Sequence, residues 1–200
     1  MTRLGLALRA MLVGVLCGGG LLGCAHTPTP HYYVLSAATA AASHTVRNGP
    51  AIGLGPITLP EYLDRAQVVT RATDSRLELS NSQRWAEPLA ASFARALRAN
   101  LEREMPAADI VMHPWRTGLS LARQVQIEVT RFDSGADGAF HLSGRWNIST
   151  PDARGTSQSQ QSDITIPLPA KAGDFDALVA AANSAVAALA TAIAAQLQAP

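Results

Sequence analysis

Cysteine is nearly absent: the 200-residue chain has Cys17 and Cys24 and no other. Neither lies beyond the first 24 residues, so a folded body further along has no disulfide, no thiol nucleophile and no thiolate metal site. An excess of positive charge is missing too. Sixteen Lys and Arg stand against fifteen Asp and Glu, which leaves no basic field for nucleic acid. The apolar run from Ala10 to Gly23 is too short and too glycine-rich for a comfortable crossing of a hydrocarbon core, which takes roughly 20 apolar residues. Catalytic signatures are missing as well. Gly118-Leu119-Ser120-Leu121-Ala122 lacks the second glycine of a nucleophile elbow, and Gly53-Leu54-Gly55 runs into Pro56 rather than a phosphate-binding turn. His26, His31, His44, His113 and His141 show no i, i+4 pairing that would suit a metal, and the chain contains no internal repeat.

The first 23 residues carry Arg3 and Arg9, no acidic residue, a short apolar stretch and small residues at its end, the pattern of a secretory signal. Leu21-Leu22-Gly23-Cys24 resembles the lipobox of bacterial lipoproteins. That resemblance implies cleavage before Cys24, diacylation of its sulfur and N-acylation of the new terminus. Each buried CH2 is worth about 0.8 kcal/mol, and two or more chains anchor stably without a span. The organisation expected is therefore a signal over 1–23, a lipidated cysteine and short tether over 24–31, and one domain over 32–200. Ala25, where Asp would suggest inner-membrane retention, favours the outer membrane.

Within the domain, Tyr32 to Leu35 reads as a first strand, and Ala51 to Pro60 as a second whose glycines and prolines mark a bulge or a close backbone approach. Gln67–Ala72 and Arg76–Ser80 form a hairpin across Thr73-Asp74-Ser75. Behind Pro88, Leu89, Phe93, Leu97, Leu101 and Met105 recur every four residues, an amphipathic helix ended by Pro106. Ile110 to His113 is a short strand. Val125, Ile127 and Val129 alternate with polar residues, and Phe140, Leu142, Trp146 and Ile148 form the apolar face of their partner. A third strand reaches Ile164–Leu168 from the polar run Ser157–Ser162, which has the composition of a solvated edge. Phe175, Leu178, Val179, Ala182, Val186, Leu189, Ile193 and Leu197 make one helical stripe behind Asp174, a side chain able to cap the first turn. These elements add up to an α+β two-layer sandwich: a largely antiparallel β-sheet with two main helices on one face.

Three segments carry a more specific likeness: Ile52 through Arg65, Gln67-Val68-Val69-Thr70-Arg71, and Arg84-Trp85-Ala86-Glu87-Pro88-Leu89. In order and spacing they resemble the PqiC-type auxiliary lipoproteins of ABC-type transport systems. His113-Pro114-Trp115, the Val125–Phe132 strand and Arg145-Trp146 extend the likeness over about residues 31 to 197, with Ala66 standing where the family often has proline. The resemblance implies a non-catalytic lipoprotein, without a cofactor beyond the covalent lipid on Cys24. Its partners would be a periplasmic MCE-domain protein and, indirectly, an inner-membrane permease, moving lipid between membranes and protecting the envelope. A homo-oligomeric ring would suit a ring-shaped partner.

Two other classes remain open at this level: a lipid- or small-ligand-binding cup, and a hydrolase with a catalytic group hidden among Ser, His and Asp. Leu59, Pro60, Glu61, Tyr62, Leu63, Asp64 and Arg65 form the candidate contact surface, because Tyr and Arg are enriched in hot spots and the segment joins two strands. The alternative is that Leu59, Tyr62 and Leu63 fold back into the core. Arg84 is a separate surface candidate, while its neighbour Trp85 is expected to turn inward.

Overall fold

A computed structural model describes residues 29–37, 49–151, 157–169 and 173–199. The expected signal and Cys24, the expected acylation site, lie outside these residues. Eight strands and two helices follow in the order β1 (His31–Tyr33), β2 (Ala51–Thr58), a 3-10 turn (Glu61–Leu63), β3 (Gln67–Thr73), β4 (Arg76–Trp85), α1 (Leu89–Glu104), β5 (Asp109–Met112), β6 (Arg123–Ser134), β7 (Ala139–Ser149), β8 (Ser157–Pro167) and α2 (Phe175–Gln198). The architecture is the expected α+β sandwich.

The meander β6–β7–β8 is antiparallel along its length. Its long strands alternate as the sequence pattern requires: Val125, Ile127 and Val129 are buried on β6, opposite Ile148, Trp146 and Gly144 of β7. A bulge between Val129 and Arg131 then shifts the inward parity, so that Phe132 rather than an odd-numbered residue continues the core. Gly144 sits at that bulge because a Cβ there would approach the Glu128 carbonyl oxygen to 2.9 Å. The outer strand β8 pairs only with β7, and its Ser157–Gln161 stretch is exposed.

The rest of the sheet is mixed. β2 runs parallel to both β5 and β6, β1 parallel to β4, and β3 meets β6 through Thr70 and Ser134. Parallel neighbours need a crossover, and here β3, β4 and α1 all lie between β2 and β5 in the chain. The glycine–proline irregularity expected in β2 is a register shift between Leu54 and Ile57, where Gly55 holds φ +122°.

Both helices bury their apolar stripes over this sheet and against each other. In α1, Leu89, Phe93, Leu97 and Leu101 face inward, with Pro88 at the N-cap, one position before the first helical residue. In α2 the Asp174 carboxylate accepts the Ala177 N–H at 3.0 Å, capping a helix whose Ala182, Ala185 and Ala190 are fully buried. That helix has the length and hydropathy of a membrane span, yet its apolar stripe is spent on the protein core. Phe93 ties the layers together: its ring meets Phe132 edge-on at 5.4 Å, and Phe132 meets Phe140 in the same manner at 4.8 Å. Phe93→Ala is expected to cost about 3–5 kcal/mol of unfolding free energy, read from the urea midpoint.

Candidate functional site: a contact loop clasped by a buried carboxylate

Among the described residues, Asp133, near the end of β6, is the charged group that the fold buries completely. An isolated carboxylate in such a place would be costly, so its oxygens need donors. Three residues supply them. Arg71 on β3 donates from a terminal nitrogen at 2.8 Å and from Nε at 3.2 Å, Arg131 donates from Nε at 2.9 Å, and the Tyr62 hydroxyl donates at 2.9 Å. Burial by itself would raise the Asp133 pKa; the hydrogen bonds from Arg71, Arg131 and Tyr62 outweigh it and hold the carboxyl below its ordinary value. Burial, together with the neighbouring Asp133 charge, pushes the Tyr62 phenol up. The Arg71 guanidinium also lies 5.7 Å from the centre of the Tyr62 ring, within cation–π range.

The consequence is local and mechanical. Tyr62 belongs to the 3-10 turn that links β2 to β3, so the clasp nails that turn to two strands. Leu63, 3 % exposed, is driven into the core beside it, and Leu59 packs partly buried against the same cluster. Backbone bonds from Leu63 N to Pro60 O and from Asp64 N to Glu61 O complete the turn. The inward alternative thus describes Leu63 and the hydroxyl end of Tyr62, whose side chains are not free for a partner. Pro60 is partly buried, and Glu61, Asp64 and Arg65 remain exposed on a rigid support. Arg84, at the end of β4, is partly buried on a different strand; Trp85 beside it is 6 % exposed, turned inward as expected. Sequence reasoning missed the centre of the clasp, since Asp133 lies 71 residues from Tyr62 and 62 from Arg71 and no local pattern joins them.

Two further arrangements bear on the alternatives. His141 Nε2 lies 2.9 Å from Asp137 Oδ2, and its Nδ1 lies 3.3 Å from Thr165 Oγ1, a carboxylate–imidazole–hydroxyl row across β7 and β8. The bond to His141 lowers the Asp137 pKa. An open groove of about 490 Å³ runs between β3, the β6–β7 turn and the start of α2, lined by Arg71, Leu168, Phe175 and Leu178 among others. None of the three residues in the row lines that groove; the row ties the β6–β7 turn to β8. Among the described residues, no group of three or more His, Cys, Asp or Glu is placed to hold a metal.

The sequence model of the ABC-type transport auxiliary lipoprotein component family matches residues 33–194 of the chain. The chain belongs to this family. Among curated relatives of this auxiliary lipoprotein are the intermembrane transport lipoproteins PqiC of Escherichia coli (strain K12) and Shigella flexneri, each 27 % identical over 131 residues, or 64 % of this chain and 68 % of the relative. Two crystal structures share its fold. One, of an uncharacterized protein, aligns with TM-score 0.70 at 22 % identity over 86 % of this chain and 100 % of its own. The other, from Xanthomonas campestris, gives TM-score 0.67 at 14 % identity over 84 % of this chain and 94 % of its own. The auxiliary lipoprotein is accordingly a membrane-associated component of the cell envelope that serves a transport system.

The clasp makes a signed prediction about acid. Because the folded-state pKa of Asp133 is depressed, its stabilising contribution is fully present above the ordinary carboxylate value of about 3.9 and is lost as pH falls below that value through the folded one. Asp133→Asn is expected to destabilise the fold by about 3–5 kcal/mol at pH 7, since Arg71 and Arg131 lose their counter-charge. It is also expected to shallow the loss of stability as pH falls below about 3.9. Urea titrations at several pH values check both.

Proposed function

We propose that this protein is a non-catalytic outer-membrane lipoprotein subunit of an MCE-type intermembrane lipid transport system, acylated at Cys24 and facing the periplasm. It docks the periplasmic MCE-domain protein at the outer membrane, engages the inner-membrane permease indirectly, and so supports envelope integrity. The observation that carries this reading is the family match over residues 33–194, together with relatives described as intermembrane transport lipoproteins. The Leu21-Leu22-Gly23-Cys24 lipobox followed by Ala25 supports outer-membrane attachment.

A docking subunit needs a contact surface that does not have to be ordered on binding, because ordering costs affinity. The turn at 59–65 meets that need: Leu63 and Tyr62 anchor it inward, and Glu61, Asp64 and Arg65 stand outward. Arg65 supplies the planar donor for a partner carboxylate, and Tyr62 contributes by holding the turn in shape. Arg84, on a different strand, is a separate contact candidate outside this turn. A ring of identical subunits would match a ring-shaped MCE partner, and light scattering on the detergent-solubilised protein measures the copy number.

The groove beside Phe175 and Leu178 favours one second reading, a lipid- or small-ligand-binding cup. Phospholipid retained by the protein after mild extraction, seen by native mass spectrometry, would support it. Docking instead predicts that the immobilised protein retains the MCE-domain partner, and that Arg65→Ala weakens retention about tenfold, or roughly 1.4 kcal/mol. Tyr62→Ala should weaken it further while circular dichroism keeps its native form. Unchanged retention in both variants would remove the turn from the interface.

A further inference from the structure

β1 carries side chains that neither the core nor the clasp uses. Along it and through the two residues that follow it, the chain alternates: Tyr33 and Leu35 turn inward, Leu35 to 1 % exposure, whereas Tyr32 and Val34 turn outward at 63 % and 48 %. Opposite residues on adjacent strands share a face, and Tyr32 lies opposite Arg84. The Arg84 Nε is buried and makes no hydrogen bond within the protein. A phenol and an isopropyl group thus stand outward at the sheet's edge, with a half-buried guanidinium on the neighbouring strand opposite the phenol.

The chain length ahead of β1 says what covers them. His31 follows Cys24 by seven residues, which reach at most about 25 Å when fully extended. A domain of this size is roughly 40 Å across. A tether shorter than the body it holds keeps the edge it leaves from near the lipid and the far side away.

We infer that the β1 edge rests on the phospholipid leaflet, with Tyr32 and Val34 entering the boundary between headgroups and acyl chains and the exposed part of the Arg84 guanidinium turned toward lipid phosphate. The inference rests on the proposed acylation of Cys24. Tyr rings settle at the headgroup level because one end is apolar and the other polar. Arginine suits phosphate because its N–H groups form a planar fork. The acyl chains supply the anchoring, and this patch sets the orientation by restricting rotation about the tether.

The test uses the full lipidated protein in vesicles of phosphatidylethanolamine and phosphatidylglycerol at 3:1, with nitroxide-bearing headgroups as quencher. A fluorophore is attached through Val34→Cys, or through Leu119→Cys, which is exposed on the loop between β5 and β6. Quenching at least twice as strong at position 34 as at 119 is expected, and Tyr32→Asp with Arg84→Glu should halve it. If the protein floats with the vesicles but the two positions quench alike, the inference is overturned while the anchor stands. If it does not float, the anchored reading itself fails. If Tyr32→Cys chains instead form a disulfide with one another and position 34 is shielded from the lipid quencher, a second copy covers the edge and the inference is wrong.

Discussion

A carboxylate that water cannot reach governs how this protein presents itself. Asp133 is tolerable in the interior because two guanidinium groups and a phenol surround it, and those donors come from β3, from β6 itself and from the turn before β3. Each of the three is thereby drawn to one point. Replacing such a cluster with apolar side chains of matched shape is often neutral for stability. Its value here is therefore geometric: it converts a connecting turn, ordinarily among the more mobile parts of a fold, into a fixed platform with charges on the outer side.

The two helices and the rest of the sheet support that platform. Phe93, Phe132 and Phe140 join α1 to the sheet, and the buried alanines of α2 let the second helix lie close. On the proposed reading, a rigid body on a short tether would hold a partner at a set height above a membrane. That arrangement agrees with an auxiliary lipoprotein of a transport system, and it makes no demand for a cleft or a reactive group.

How far this could be read in advance depended on the range of the interaction. The stripe from Phe175 to Leu197, the Asp174 cap and the alternation of Val125, Ile127 and Val129 are written over a few residues, so periodicity reveals them. The parallel pairing of β2 with β5 and β6 is a relation between segments more than fifty residues apart, and alternation along one strand says nothing about the direction of its neighbour. The bulge after Val129 likewise depends on which residue the partner strand offers. The turn at 59–65 was the ambiguous case, because Tyr62 and Leu63 have the same composition whether they meet a partner or the core. What resolved them was Asp133, a residue that looks like ordinary turn chemistry beside Ser134 and Gly135 until β3 is placed next to it.

Amide hydrogen exchange tests the claim that the clasp holds the turn. Losing the hydrogen bond from Tyr62 to a charged acceptor should cost about 1.5–3 kcal/mol. In Tyr62→Phe the account therefore predicts that the Leu63 and Asp64 amides exchange roughly ten to a hundred times faster, with α2 unchanged. Unaltered protection at those two amides would contradict it.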